Sequence, residues 1–414
     1  MEAQPRLRRR PEQKKRPRGG MRLLRAPLVF TGFSPLIENG GVLLGDDGRI
    51  ASVGAAKDLL KDAPGAPVED FPDSILLPPL VNCHAHLELA ALPKIRDDVD
   101  FTGWLGEVVA EKKRASPADF ERGIKEGIEL CRVGGQGVIA DVASATGVEK
   151  SYGKSGARVV FTPELICLDP SGAAKAVENA LGRKAGGNAS WGGVFAHAPY
   201  TVCEEAYLEC AKALRREGLL FTHAAESPEE VEYCLTGKGA IPERLFGNSP
   251  VNPPPSPGLH PIDWLDKIGV LGNRTVLVHC VQLGKGHVNL IAARRARVVL
   301  CPRSNKNLGV GSAPALELLR ARVNIGLGTD SILSAGDLDL WKEVTAAVDD
   351  YGFSPEDALF AGTSWGARVL GLEGESGSLS PGRRAAILVR KLGEGKDRWE
   401  RIFSSSGENC FYVN

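Results

Sequence analysis

The residues of this chain that could do chemistry are concentrated at the ends of apolar runs. The sequence contains seven histidines, and two of them, His260 and His287, receive no role. The other five stand at or just after the C-terminal end of a predicted strand, and they are His84, His86, His197, His223 and His279. Asp330 follows a further predicted strand. Imidazoles and carboxylates are the ligands that zinc-type ions take in catalytic sites, so the pattern points to a metal centre.

The strongest local signal is the segment Val-Asn-Cys-His84-Ala-His86. Alternate residues of a strand point to the same face, so two imidazoles two positions apart can bind one ion. This spacing alone is only moderately specific, because a pair of surface histidines gives the same pattern. Three later segments strengthen it, and their polar residues are His223 with Glu226, His279, and Asp330.

These residues need a scaffold that brings strand ends together. From Ile75 onward, apolar runs alternate with longer stretches of helical character, which is typical of βα units around a parallel sheet. Eight strands are predicted, at Ile75–Cys83, Gly137–Ala143, Val159–Ile166, Gly193–Ala198, Leu219–His223, Thr275–His279, Val298–Cys301 and Val323–Gly328. Eight such units predict a closed (β/α)8 TIM barrel, with its active site at the C-terminal ends of the strands. A doubly wound open sheet is the alternative, but no GxGxxG motif follows a strand.

The two ends of the chain differ from this alternating region. Residues 21–74 contain short apolar runs separated by Asn-Gly-Gly and Asp-Asp-Gly, which mark hairpins. Residues 371–414 return to Gly, Ser and Pro turns between short apolar runs. We therefore expect an α/β protein with a barrel over residues 75–370 and a small β-sandwich domain built from residues 21–74 and 371–414. Two helices are expected after the eighth strand, at Asp337–Asp349 and Pro355–Leu370.

The formal charge of zero conceals two unlike parts. Residues 1–20 hold eight basic and two acidic side chains, a net charge of +6. Because the whole chain has 51 basic and 51 acidic residues, residues 21–414 carry a net charge of −6. Met21 falls where the basic tract ends, which favours a disordered tail or a wrongly chosen upstream start codon. A nucleic-acid-binding or targeting arm is the competing interpretation. The acidic remainder gives no reason to expect a nucleic-acid partner.

Composition also limits the compartment and the partners. No window approaches about 20 uninterrupted apolar residues, so no transmembrane helix and no membrane partner are predicted. The nine cysteines include no CxxC pair, which favours free thiols in a reducing compartment, and we expect a cytoplasmic protein. The expected partner is a small-molecule substrate, and a homo-oligomer is compatible with the sequence.

Taken together, six motifs resemble those of the amidohydrolase superfamily. They are PPLVNCHAHLEL, HAPYTV, THAAES, VHC, CPRSN and GLGTDS. Their order is similar to that in the cytosine deaminase-like branch, which includes guanine deaminases, S-adenosylhomocysteine deaminases and triazine chlorohydrolases. The resemblance covers about residues 21 to 395.

The resemblance implies one divalent metal ion, zinc in most members of the branch and iron in some. The implied metal ligands are His84, His86, His223 and Asp330. No lysine lies in the segment Trp191–Tyr200, where relatives with two metal ions carry a carboxylated lysine. The resemblance therefore implies a mononuclear site.

The same resemblance implies catalytic roles for Glu226 as a proton shuttle and for His279 as the residue that hydrogen-bonds the metal-bound water. It implies a substrate contact for His197. The chemistry of these residue types supports the roles, because a zinc-type ion lowers the pKa of bound water to about 7 and Asp330 can accept the proton of that water. Glu226 can protonate a ring nitrogen as the resulting hydroxide attacks the adjacent amidine carbon, and ammonia is then expelled.

The substrate is a hypothesis from two further segments. HLELA and FTGWLGEV resemble the variant found in aminodeoxyfutalosine deaminases, which act on an adenine-type nucleoside. Trp104 and Phe101 could stack on an aromatic ring or simply cap the barrel mouth. Glu88 shares a face with the metal-binding histidines by strand alternation, so it is a substrate-binding candidate. Arg303 and Asn305 could bind a carboxylate or sugar hydroxyls, although Arg303 could equally hold the loops together.

Two other functions remain open at this point. A related hydrolase that removes chloride or opens a cyclic amide would have a nearly identical metal site. A metal-free assembly protein on the same fold would be marked by lost ligands, and here all of them are present.

Overall fold

The computed structural model describes residues 20–96, 98–153, 156–247, 252–405 and 410–413. The basic tract lies outside these residues except for Gly20, so its interpretation stays a prediction. Within the described ranges, no helix is both long and apolar enough to cross a membrane.

A sheet of seven strands is built from both ends of the chain. Its strands are β1 (Arg22–Val29), β2 (Ile37–Leu44), β3 (Ile50–Ala55), β4 (Val68–Asp70), β5 (Ser74–Leu77), β15 (Ile387–Lys391) and β16 (Cys410–Val413). Their order is β16-β15-β5-β1-β2-β3, with β4 also pairing with β1. The expected joining of the two chain ends is confirmed by the antiparallel pairing of β5 with β15.

A second, parallel sheet forms the predicted barrel. Its strands are β6 (Leu80–Ala85), β7 (Gln136–Ala143), β8 (Arg158–Leu165), β9 (Ala189–Trp191, an extra strand on β8), β10 (Gly193–Ala196), β11 (Leu219–Ala224), β12 (Thr275–His279), β13 (Arg297–Leu300) and β14 (Asn324–Leu327). Every residue of β6, β11 and β12 is buried, as expected where side chains fill the barrel on one face and helices cover the other. The (β/α)8 prediction is therefore confirmed.

Fifteen α-helices occur in the described part of the chain. They are α1 (Ala56–Asp62), α2 (Phe101–Arg114), α3 (Pro117–Val133), α4 (Ala173–Gly182), α5 (Glu204–Ala213), α6 (Pro228–Thr236), α7 (Pro261–Lys267), α8 (Lys285–Arg294), α9 (Pro302–Asn307), α10 (Ala315–Arg320), α11 (Ile332–Ala335), α12 (Leu340–Asp349), α13 (Pro355–Ala361), α14 (Ser364–Val369) and α15 (Arg398–Phe403). Short 3₁₀ segments at Leu87–Ala91, Glu149–Tyr152 and Pro170–Gly172 and a π-helical turn at Ile241–Phe246 complete the helical structure.

The first predicted strand, Ile75–Cys83, is wrong in its bounds. It divides at Pro78 and Pro79 into β5, which belongs to the terminal sheet, and β6, which begins the barrel. Proline has no backbone N–H to donate to a sheet, so two in succession end one strand before the next begins. The sequence pattern did not separate them, because apolar residues stand on both sides of the break.

The last predicted helix, Pro355–Leu370, is also divided in the structure. Helix α13 ends before Gly362, and Thr363 adopts a non-helical conformation with φ −135° and ψ −97°. The Thr363 hydroxyl donates to the carbonyl of Leu359, so it satisfies one free carbonyl of the last turn. Helix α14 then starts anew at Ser364.

The barrel closes where its first and last strands meet. The backbone N–H of Asp330 donates to the carbonyl of His84 at 3.0 Å, and a parallel bridge joins Ala85 to Asp330. The buried Asn82 side chain reinforces this seam, since its Oδ1 accepts from the N–H of Thr329 at 3.2 Å and from that of His84 at 3.3 Å. Its Nδ2 donates to Gln136 on the neighbouring strand at 3.0 Å.

Replacing Asn82 should therefore weaken the closed barrel. Asn82→Ala leaves several buried polar groups without partners, and each such group costs about 1–3 kcal/mol. We expect the free energy of unfolding of the metal-free protein, measured by urea titration, to fall by at least ~2 kcal/mol. Asn289→Ala, at an exposed position of α8, is the control and should stay within ~0.5 kcal/mol of the parent. Equal stability of the two variants would contradict this account of closure.

Candidate active site

Three histidines from two strands converge at the C-terminal mouth of the barrel. His84 is the last residue but one of strand β6 and His86 follows the strand, while His223 lies near the end of β11. One ring nitrogen from each lies within 4.8 Å of one from each of the others, and the His84 and His223 Nε2 atoms are 3.4 Å apart. Burial lowers the pKa of all three imidazoles, that of His86 to about 3, which favours the neutral form that can bind a metal ion.

Asp330 adds a carboxylate to this cluster from just beyond β14. Its Oδ1 lies 3.5 Å from the Nε2 of His84 and 3.4 Å from the Nε2 of His86. Its Oδ2 accepts hydrogen bonds from the hydroxyls of Ser304 at 2.6 Å and Ser334 at 2.8 Å. Burial alone would raise the pKa of Asp330, but hydrogen bonding by His84 and the other imidazoles hold it well below its usual range.

This donor set fits one divalent cation. Three neutral imidazoles and an ionised carboxylate supply nitrogen and oxygen ligands that a zinc-type ion accepts, and none needs to lose a proton first. The two serine hydroxyls fix the orientation of the carboxylate, as hydrogen bonds behind metal ligands commonly do.

Glu226 and His279 stand beside the cluster formed by His84, His86, His223 and Asp330, the candidate metal-binding cluster. The Nε2 of His279, at the end of β12, lies 3.4 Å from the Oε1 of Glu226. Burial, together with the charges of Asp330 and Glu229, raises the pKa of Glu226 well above its ordinary value. A buried carboxyl whose pKa is raised in this way is suited to donate a proton in general acid catalysis.

The orientation of His279 is set from behind by Asn305. The Nδ1–H of His279 donates to the Oδ1 of Asn305 at 2.8 Å, and the Nδ2 of Asn305 donates to the hydroxyl of Tyr351 at 2.9 Å. With the amide in this orientation the proton of His279 is on Nδ1, which leaves its Nε2 free to accept on the side of Glu226.

The backbone at these strand ends adopts an uncommon conformation. Ala225, His279, Cys280 and Asp330 have positive φ values of 53°, 75°, 51° and 56°. Such conformations are rare for residues other than glycine and cost of order 1–3 kcal/mol each. At Ala225 the turn is held by the buried Glu230 side chain, which accepts from the N–H groups of Ala225 and Glu226. The strain directs Glu226, His279 and Asp330 into the site.

The site opens into a cavity of about 670 Å³. Its wall includes five of the metal-site and catalytic candidates, namely His86, His223, Glu226, His279 and Asp330, as well as His197 and Trp104. The Nδ1 of His197 forms a hydrogen bond with the hydroxyl of Thr201, at a distance of 2.7 Å. This bond fixes the orientation of the ring in the cavity wall. Trp104 and Phe101 come from helix α2. Asp100 caps the N-terminus of this helix, because its side chain accepts from the N–H of Gly103. No helix was predicted here, because Gly103 and Gly106 obscure the periodicity.

Three substrate-binding candidates lie outside the cavity wall. Glu88 is fully buried in a 3₁₀ turn after β6, so strand alternation does not extend to it, and it accepts from Ser144 and from the N–H of Ala145. Arg303 pairs with Asp337 at 2.7 Å and donates to the carbonyl of Ala335, so it holds loops together. Asn305 serves His279 rather than the cavity.

Sequence reasoning missed four charged residues in the cavity wall, namely Lys112, Lys113, Glu164 and Arg244. Glu164 belongs to β8, and its side chain is 6% exposed. Burial alone would raise the pKa of Glu164, but Lys112, His197 and His86 outweigh it and lower that pKa. The available signal was an acidic residue near the end of the otherwise apolar predicted strand Val159–Ile166.

A second group of possible metal ligands is formed by His260, Asp263 and His287. Both ring nitrogens of His260 are engaged, since Nε2 donates to the Gln282 carbonyl at 2.9 Å and Nδ1 accepts from the N–H of Ile262. These hydrogen bonds leave His260 no lone pair with which to bind a metal ion. The histidine instead caps the start of α7.

Comparisons with known proteins identify the family. Residues 75–409 match the amidohydrolase family, so the chain belongs to this family of metal-dependent hydrolases that act on carbon–nitrogen bonds. The resemblance seen in the sequence is thereby confirmed.

Individual relatives are deaminases by name. The 5-methylthioadenosine/S-adenosylhomocysteine deaminase of Pelotomaculum thermopropionicum is 31% identical, over 76% of this chain and 72% of that protein. The aminodeoxyfutalosine deaminase of Deinococcus radiodurans is 28% identical, over 84% of this chain and 86% of that protein. The fold matches a structure of an adenosine deaminase from Xanthomonas campestris with bound zinc, with a TM-score of 0.77 and 23% identity over 95% of this chain and 91% of that one.

The ligand geometry predicts the metal content of the purified protein. We expect about one equivalent of divalent metal by elemental analysis, because the described residues contain one convergent set of free ligand atoms. His84→Ala combined with His86→Ala should abolish binding, whereas His287→Ala should retain the full equivalent. Two equivalents, or metal retained by the double variant, would contradict the assignment.

Proposed function

We propose that this protein is a mononuclear metal-dependent deaminase that hydrolyses an adenine-type nucleoside and releases ammonia. The observation that carries the proposal is the convergence in one cavity of a donor set suited to a metal ion and two carboxyl groups with contrasting surroundings. Asp330 lies within 3.5 Å of the His84 and His86 imidazoles, which hold its pKa below the usual range despite burial, whereas burial raises the pKa of Glu226 beside His279. Two carboxyl groups whose environments separate their pKa values are suited to act as base and acid in the same reaction.

The proposed metal is zinc, with iron as the alternative, and the proposed ligands are His84, His86, His223 and Asp330. When bound, the ion would activate water and polarise the reacting carbon. The segment Trp191–Tyr200 contains no lysine that could bridge a second ion.

The residues of the chain account for every proton in the reaction. Asp330 accepts a proton from the attacking water, and Glu226 donates its proton to the ring nitrogen next to the attacked carbon. His279 orients the incoming water through its Nε2. Asp330 then passes its proton to the exocyclic amine, which leaves as ammonia. The new hydroxyl group loses its proton to Glu226, so both carboxyl groups return to their starting states.

The cavity supports a nucleoside with an apolar extension as the substrate. Trp104 and Phe101 provide aromatic surface in its wall, and Val109 and Ile166 are exposed apolar side chains in the same wall. The named relatives act on adenine nucleosides with different 5′ groups. We propose aminodeoxyfutalosine as the particular substrate, in agreement with the HLELA and FTGWLGEV segments.

A cytoplasmic location is part of the proposal. All nine cysteines are free thiols, and eight of them are buried, which suits a reducing compartment.

Ammonia release from a substrate panel tests the proposed reaction. The panel comprises aminodeoxyfutalosine, 5′-methylthioadenosine, adenosine, guanine and cytosine, with chloride release from a chlorotriazine as the comparison. We expect the adenine nucleosides to be converted to hypoxanthine products and aminodeoxyfutalosine to give the highest kcat/KM. Inactivity towards every adenine compound would overturn the proposal.

The acid role of Glu226 is tested by Glu226→Gln. The amide cannot donate a carboxyl proton, so we expect kcat to fall by about 100-fold or more, within the range for general acid–base catalysis. Metal content should be unchanged, because Glu226 is not among the proposed ligands. Glu229→Gln, which alters a neighbouring carboxyl, is the matched control and should keep most of the activity. A Glu226→Gln enzyme with parental kcat would remove this residue from proton transfer.

A further inference from the structure

One carboxylate in the cavity wall takes no part in the chemistry above. Glu164 lines the cavity with a side chain that is 6% exposed. Among the described residues no N–H or O–H group donates a hydrogen bond to it, and its ion pair with Lys112 is long, with Nζ 3.9 Å from Oε2. A largely buried carboxylate that lacks hydrogen-bond donors is costly, so its exposed edge is suited to a ligand that brings donors.

The neighbouring carboxylate of Glu88 differs from that of Glu164, because the protein satisfies all of its hydrogen-bonding needs. Glu88 also lies near Lys112, with 3.6 Å between Oε1 and Nζ, but it is fully buried and both its oxygens accept hydrogen bonds. Lys112 itself donates to the hydroxyl of Ser144. The lysine thus stabilises two negative charges, of which one is satisfied by the protein and the other faces the cavity.

Arg183, another cation near Glu164, is engaged elsewhere. Its Nε donates to Glu149 at 2.8 Å, and its Nη1 donates to the carbonyl of Ala143 at 2.7 Å. It does not supply the missing donors.

The position of Glu164 indicates which part of a nucleoside it would meet. Glu164 shares the cavity wall with His86, His197 and Lys112, the last of which belongs to helix α2. A base whose reacting carbon sits beside Glu226 and the metal ligands must direct its sugar away from them. The two oxygens of a carboxylate can accept from two adjacent hydroxyls at once.

We propose that Glu164 binds the 2′ and 3′ hydroxyls of the substrate ribose and makes the enzyme selective for ribonucleosides over deoxynucleosides. This inference rests on the proposed function, since it requires a nucleoside in the cavity. Lys112 keeps the carboxylate ionised, and charge-assisted hydrogen bonds of this kind are the stronger ones.

Removing the hydroxyls from the substrate and the carboxylate from the protein tests the contact from both sides. We would measure kcat/KM of the metal-loaded enzyme for adenosine, 2′-deoxyadenosine and 3′-deoxyadenosine. Loss of either hydroxyl should lower kcat/KM of the parent about 10- to 100-fold, mainly through KM. Glu164→Gln should lower kcat/KM for adenosine similarly and discriminate little among the three. Glu88→Gln, the matched control beside the same lysine, should keep the parental ratios.

The outcomes separate the inference from the proposed function. If the parent deaminates all three nucleosides equally well, or if Glu164→Gln keeps the parental discrimination, the ribose contact is wrong while the deaminase proposal stands. If no adenine nucleoside is deaminated, the reaction is wrong, and binding still tests the contact. Purine riboside should then bind the parent more tightly than purine 2′-deoxyriboside does, by calorimetry, and equal affinities would overturn the inference.

Discussion

The hydrogen-bonded seam between the first and last barrel strands is the constraint on which both the fold and the site depend. It joins residues that are as much as 247 positions apart, as in the hydrogen bond from Thr329 to Asn82. The same seam sets His84 and Asp330 side by side, because the N–H of Asp330 donates to the His84 carbonyl. Barrel closure therefore also brings together two of the proposed metal ligands, His84 and Asp330.

Burial within that closed barrel then differentiates the ionisable groups. It keeps the imidazoles of His84, His86 and His223 neutral, which prepares them as ligands. It also raises the pKa of Glu226, whereas hydrogen bonding and nearby imidazoles lower that of Asp330. The surroundings of two chemically similar carboxyl groups thus shift their pKa values in opposite directions, as the proposed base and acid require. Positive φ values at the strand ends hold them in these surroundings at some cost in backbone energy.

The sequence predicted those features that depend on short-range pattern. Eight apolar runs with polar residues at their C-terminal ends define a barrel and its catalytic edge, and the order of the motifs indicates the family. Hydrogen bonds between side chains from distant parts of the chain could not be predicted from the sequence. Asn305 looked like a substrate ligand but orients His279 through a contact to Tyr351, which lies 46 positions further along the chain. Strand alternation, on which the role of Glu88 was predicted, does not extend to this residue, because β6 ends at Ala85 and the chain then turns. Glu164 was overlooked because a single acidic residue within an apolar strand has no characteristic spacing.

The terminal sheet has a consequence for how the molecule forms. Strand β5 leads into β6 across Pro78 and Pro79, and it pairs with β15 through registers such as Leu77 with Leu388. This pairing joins the two ends of the segment that forms the barrel. Bringing together strands so far apart in sequence has an entropic cost that local contacts do not offset. During synthesis, β5 leaves the ribosome long before its partner exists. The pairing of β5 with β15 consequently forms only after the whole barrel has been translated. Until then β5 has one unpaired, apolar edge, which we expect chaperones to shield.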